Sequence, residues 1–174
     1  MVTARVGILV LTATVVAPAG LVADQPLIGD VRSDYRTVRD LVIRAAEKLP
    51  ESDYSFKPTP DVRSFAQQIA HIADDQYNLC APARGETRAA PYQDIERRLS
   101  RKADLVPALK DAFAYCDRAY DALTDVSGAR ATSASPRNVF SMLNWNLWHT
   151  WEHYGNLVVY LRLKGLVPPS SEKR

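Results

Sequence analysis

The chain has 174 residues, 47% of them hydrophobic and 24% charged, which describes one ordinary globular domain and excludes a disordered or membrane-embedded protein. Its 22 basic and 20 acidic residues are interleaved and leave a net charge of +2, so no basic surface is set aside for nucleic acid or an anionic membrane. No internal repeat or composition break marks a second folded domain.

The amino terminus reads differently from the rest. "MVTARVGILVLTATVVAPAGLVAD" has Arg5 as its only charge before Asp24, an apolar run from Val6 to Val16, and small residues at Ala17, Ala19 and Ala23 where a signal peptidase would cut. A retained anchor is the alternative, but the run falls short of the roughly 20 residues a bilayer span needs and Pro18 breaks it. The expectation is a signal peptide over residues 1–23, a mature domain over 24–174 with no stable membrane span, and a secreted or periplasmic location. Outside the cytosol, Cys80 and Cys116 gain a second reading: they either form a disulfide or serve as small buried hydrophobes.

Beyond the leader, Ile28, Val31, Tyr35, Val38, Val42, Ala45 and Leu49 recur at spacings of three and four, one apolar helix face, and Pro50 ends it. The loop that follows returns Tyr54 and Phe56 toward a core. Ser64 with Gln67 predicts a capping box opening a second helix, whose stripe is Phe65, Ile69, Ile72 and Leu79 and whose end falls near Leu79 or Cys80. A looser connection holds Pro82, Gly85 and Pro91, with a short helical turn after Pro91.

A third helix starts near Lys102 to Asp104 and runs through Leu109, Phe113, Cys116, Tyr120 and Leu123, which requires Pro107 to lie in its first turn. The fourth is read as opening with Ser135 as N-cap and Pro136 at its first position, and as closing at Lys164, Gly165 and Leu166. Sustained period-two alternation is missing, so a sheet is not expected. The fold class is all-α: a four-helix bundle with a long connection between helices two and three, long enough for a crossover topology.

Two of the three histidines fall in "NLWHTWEHYGNL". His149 and His153 are four apart and share a helix face at the edge of the core stripe, where one side of an imidazole is held by packing and the other faces a cleft. His71 falls away from the large apolar stripe of its own helix, beside Gln68 and Asp75. Read alone it is a surface histidine, and a lone His-x3-His is as well explained by partly exposed rings packed among tryptophans.

Two longer stretches change that weighting. "SFAQQIAHIADDQYN" and, two helices on, "NVFSMLNWNLWHTWEHYGNLVVYLRLKGLVPPS" resemble the DinB-like (YfiT-like) superfamily of metal-dependent four-helix bundles, and the resemblance extends over the mature chain, including "EKLPESDYSFKPTPDVRS". In that family one histidine of helix two and a His-x3-His of helix four bind a divalent metal, commonly zinc or nickel. The matching positions are His71, His149 and His153, and they use every histidine in the chain. Three imidazoles leave a coordination position open, as in catalytic sites.

Asp75 is then a candidate to orient His71 or complete the metal's shell, and Asn146 and Glu152 are candidates to steady the rings from behind. For Asp75 and Glu152 the alternative is a solvated charge on a helix face. The resemblance implies either transfer or isomerisation using a small-molecule thiol, or metal-assisted hydrolysis, and export weakens the thiol reading. The competing expectation is a non-catalytic envelope bundle that binds metal or a small ligand, or pairs as a homodimer through Trp145, Trp148, Trp151 and Tyr154.

Overall fold

The computed structural model describes residues 26–86, 94–132 and 135–173, and these are mostly helical. The expected leader lies outside the described residues. Four helices are long: α1 (Pro26–Lys48), α2 (Phe65–Arg84), α4 (Lys102–Asp121) and α6 (Val139–Leu163). Two are single turns, α3 (Ile95–Arg98) and α5 (Asp125–Gly128), and a small antiparallel ladder of β1 (Ala131–Thr132) and β2 (Ser135–Asn138) precedes α6. Among the described residues no helix is long and apolar enough to cross a membrane.

The apolar spacing of α1 does what it predicts: Ile28, Tyr35, Val38, Val42, Ala45 and Leu49 are buried and Val31 is half-buried. α1 packs against α4 and α6, and α2 packs against the same two helices, so α1 and α2 lie across the helical bundle from one another. Tyr54 returns into the core, its hydroxyl donating to the Ala46 carbonyl at 2.6 Å, with Phe56 half-buried beside it. The capping box at Ser64 and Gln67 forms as expected, each side chain accepting from the other residue's backbone N–H.

Three features differ from the sequence expectations. α2 continues past Cys80 to Arg84 with Pro82 inside its last turn, and it stops at Gly85, whose φ of 74° lets the Glu86 N–H reach back to the Ala81 carbonyl. The glycine, rather than the proline, ends the helix. Pro107 lies in the second turn of α4, not the first, where it forfeits one hydrogen bond to the Ala103 carbonyl in a helix held by its buried apolar face.

The start of α6 is also corrected. Ser135 and Pro136 belong to β2, and the N-cap is Asn138, whose side chain accepts from the Ser141 N–H at 2.8 Å. Both are good cap chemistries, and the hairpin decides between them: the Thr132 hydroxyl donates to the Arg137 carbonyl, and Val139 N–H bonds back to Arg130. The ladder is the one departure from an all-α chain among the described residues. At the other end of α6, the Gly165 stop forms as read, with Leu166 N–H bonded to Leu161 O.

A polar seam crosses the core. Tyr35 of α1 stacks on Tyr120 of α4 with centroids 3.7 Å apart, and the Tyr120 hydroxyl meets the Leu143 carbonyl at 2.7 Å and Asn146 Oδ1 at 2.9 Å. The Asn146 amide donates to Gln76 Oε1 (3.1 Å), and the Gln76 amide donates to the Thr150 hydroxyl (3.2 Å). All of these side chains are buried. Nearby, Cys80 of α2 and Cys116 of α4 are buried with Cα atoms 5.3 Å apart, a separation that a disulfide spans.

The seam makes a testable prediction. Asn146→Leu strands the Gln76 carbonyl and costs about 1–3 kcal/mol in urea unfolding, as does Gln76→Leu, whereas the double variant costs less than the sum because no polar partner is left buried alone. Additive losses would show that Gln76 and Asn146 are not coupled.

Candidate metal centre

α2 and α6 build the site. On α2, His71 and Asp75 sit one turn apart, immediately before Gln76, and on α6 His149 and His153 flank Thr150. The Gln76–Thr150 hydrogen bond therefore brings the two pairs level with each other. Ring centroids of His71 and His153 are 4.8 Å apart, those of His149 and His153 4.4 Å, and those of His71 and His149 6.0 Å. One ligand atom from each of His71, Asp75, His149 and His153 lies within 4.8 Å of the other three, so the group can hold a single ion.

His71 is half-buried rather than on the surface, because α3 covers α2 on a side that the apolar stripe does not reveal. Asp75 is a member of the cluster, not a solvated charge. Its Oδ2 lies 3.0 Å from His71 Nε2 and 3.5 Å from His149 Nδ1, and it is shut off from solvent without a hydrogen bond of good geometry. His149 and His153 bring their Nε2 atoms to 3.1 Å. An orphaned buried carboxylate oxygen among converging ring nitrogens fits a cation bound between them.

Charge follows this geometry. The carboxylate of Asp75 raises the His71 pKa, against burial, which lowers it. For Asp75, burial works upward but the two neighbouring imidazoles prevail and hold it below the usual carboxylate value. His153 is pushed down to about 4 by burial and by the adjacent His149 and His71, so it stands neutral, as a metal ligand must.

Two of the outer ring nitrogens meet polar side chains outside the expected set. Gln68, one turn before His71, has its amide 2.6 Å from His153 Nδ1. The two ends of a carboxamide are alike in shape, and the orientation with the carbonyl toward the ring makes Nδ1 the donor and leaves Nε2 free for an ion. Glu96 of α3 lies 3.2 Å from His71 Nδ1 through Oε2. Gln68 shares His71's strip on the helix wheel and was visible beside it in the sequence, whereas Glu96, 25 residues away, carries no local signal. Of the other candidates, Asn146 engages Tyr120 and Gln76 rather than an imidazole, and Glu152 is an exposed wall of the adjoining cleft.

That cleft, about 720 Å³, opens between the start of α2, α6 and the loop before α2, with Gln68 and His153 in its lining and Arg63, Val159 and Tyr160 around them. A volume of this order admits a small molecule up to the His153 imidazole. On the far side of His149, Trp145 and Trp148 pack edge to face with centroids 4.1 Å apart, and Trp148 and Trp151 remain 43% and 37% exposed.

Known proteins share this framework. YjoA of Bacillus subtilis (strain 168), an uncharacterized protein, is 26% identical over 141 residues, spanning 76% of this chain and 88% of its own. The crystal structure of that DinB-like protein superposes with a TM-score of 0.66 at 23% identity, covering 83% of this chain and 99% of the other. A crystal structure of the mycothiol-dependent maleylpyruvate isomerase superposes with a TM-score of 0.62 at 14% identity, over 75% of this chain and 60% of the isomerase. Structural likeness at these identities speaks for the fold alone. The sequence profile of the DinB superfamily matches residues 34–157, from the middle of α1 through both histidines of α6, and the chain belongs to that superfamily.

Proposed function

We propose that this protein is a divalent-metal enzyme whose ion, zinc or nickel, is held by His71, His149 and His153, with Asp75 beside it and a coordination position left for a thiol or water. The observation that carries the reading is the convergence of those four side chains from two helices, with a carboxylate oxygen buried among them that faces two ring nitrogens without a hydrogen bond of good geometry. An ion in that position would acidify a bound thiol or water and polarise an electrophile beside it. The chain's own residues supply the rest. Gln68 fixes the His153 ring, the cleft beside His153 admits the substrate, and packing of α2 against α6 limits water on the opposite side.

Two reaction classes suit the site: transfer or isomerisation using a small-molecule thiol, and hydrolysis. The maleylpyruvate isomerase of similar fold is mycothiol-dependent by name, which supports the first. Export through a leader at residues 1–23 would favour the second, since it places the protein where such thiols are scarce, and it accords with a Cys80–Cys116 bridge. A second reading, a non-catalytic envelope bundle that binds metal or a small ligand or forms a homodimer, rests on the exposed Trp148 and Trp151.

Protein purified without an affinity tag should contain close to one zinc or nickel ion per chain, and metal at a hundredfold over Kd should stabilise it by about 2.7 kcal/mol. Less than half an ion per chain, with a melting temperature indifferent to added metal, would sink the metal site. A screen of thiol cofactors together with ester and amide substrates should give a signal that His149→Ala abolishes, and a signal surviving that change lies elsewhere on the protein. Material recovered from the cell envelope should start near residue 24 and show no free thiol after denaturation. An intact amino terminus with two titratable thiols would refute both export and the bridge.

A further inference from the structure

α3 is a single turn of helix, yet it is pinned to α2 with unusual care. Both oxygens of the buried Asp74 carboxylate accept backbone N–H bonds from it, Oδ1 from Ile95 at 3.1 Å and Oδ2 from Glu96 at 2.9 Å, and Ile95 is buried beneath. The result is that Glu96 has little choice of position. Its Oε2 faces His71 Nδ1 at 3.2 Å while its Oε1 accepts from Arg63 Nε at 2.8 Å. Arg63 in turn is tied through its own carbonyl to the Tyr160 hydroxyl of α6.

His71 thus stands between two carboxylates, one on each ring nitrogen. Asp75 shares the Nε2 side with the other imidazoles, and Glu96 takes the Nδ1 side. An imidazole that binds an ion through Nε2 carries its hydrogen on Nδ1, and an anionic acceptor there both fixes that tautomer and makes Nε2 a stronger donor. The geometry points to Glu96 as the positioning residue for His71, presented by α3, which Asp74 anchors, and steadied by Arg63, so that Nε2 is held toward the metal. This inference rests on the metal site proposed above and adds to it a residue from outside the two helices that carry the ligands.

The role differs from a structural one in what it predicts. If Glu96 only ties α3 down, its loss alters stability and leaves the ion untouched; if it aims His71, its loss is felt in metal affinity. The reason to expect the second is that α3 is already secured by Asp74 and Ile95 without the Glu96 side chain.

The test is zinc affinity of the full chain, measured by competition with a chromophoric chelator, for the native protein, Glu96→Ala, Glu96→Gln and His71→Ala, with the metal-free melting temperature of each recorded. Glu96→Ala should weaken zinc by about 10–100-fold, and Glu96→Gln, which keeps an acceptor for Nδ1–H, should stay within about fivefold of the native protein. In the zinc-loaded native protein, nitrogen NMR should show a slowly exchanging His71 Nδ1–H that Glu96→Ala loses. Glu96→Ala binding zinc like the native protein while His71→Ala fails would overturn the role of Glu96 alone, as would a glutamine variant as weak as the alanine one. Native protein that binds neither zinc nor nickel in the same competition, with His71→Ala indistinguishable from it, would overturn the metal site itself.

Discussion

The register of α2 against α6 is the constraint from which the site follows, and a short run of buried polar contacts sets it. Apolar side chains attract one another at many offsets, so a hydrophobic interface between two helices leaves sliding by a turn only weakly penalised. Gln76, Asn146, Thr150 and Tyr120 are different: each has few ways to satisfy its hydrogen bonds, and displacement strands several of them in a medium without water. Because Asp75 adjoins Gln76, and Thr150 lies between His149 and His153 in sequence, satisfying the seam aligns the cluster as a by-product.

This arrangement explains why charge can be concentrated where it is. The carboxylate of Asp75 and three imidazoles occupy a volume that would be costly to fill with unpaired groups, and pairing of Asp75 with His71 or a cation held among the four offsets that cost. The pKa directions agree, with His71 drawn toward protonation by Asp75 and His153 driven away from it by burial and its neighbours. Without an ion His71 is the one drawn toward the charged form and His153 is held neutral. With one, all three must be neutral, which is the state that the environment of His153 already imposes.

Much of this was legible in the sequence. The apolar period of α1, the capping box of α2 and the glycine stop of α6 are local signals, read within a few residues and reproduced in the fold. The histidine pair on α6 was also local, but its meeting with His71 was accessible only through the resemblance, because no pattern within α2 says which helix will lie opposite. Misjudged boundaries share one cause. At Pro82 and Pro107 a residue with a strong intrinsic preference was outweighed by burial of its apolar neighbours, and at Ser135 to Asn138 by the adjoining hairpin. Gln68 could have been recognised from its place on the His71 strip, whereas Glu96 could not, since a one-turn helix 25 residues downstream becomes relevant only when Asp74 fastens it.

The cleft has two kinds of wall, and they answer to different tolerances. The side bearing the imidazoles belongs to helices whose offset is locked, so little can change there without disturbing the whole interior. The side formed by Pro58, Asp61 and Val62 is exposed loop, joined to the core chiefly through Tyr54 and the bonds at Phe65 and Ala66. Its side chains at these positions can therefore change more readily than those of the helices. Selectivity for a guest molecule can drift in that segment while the reactive centre stays as it is, a division of labour between a fixed jaw and an adjustable one.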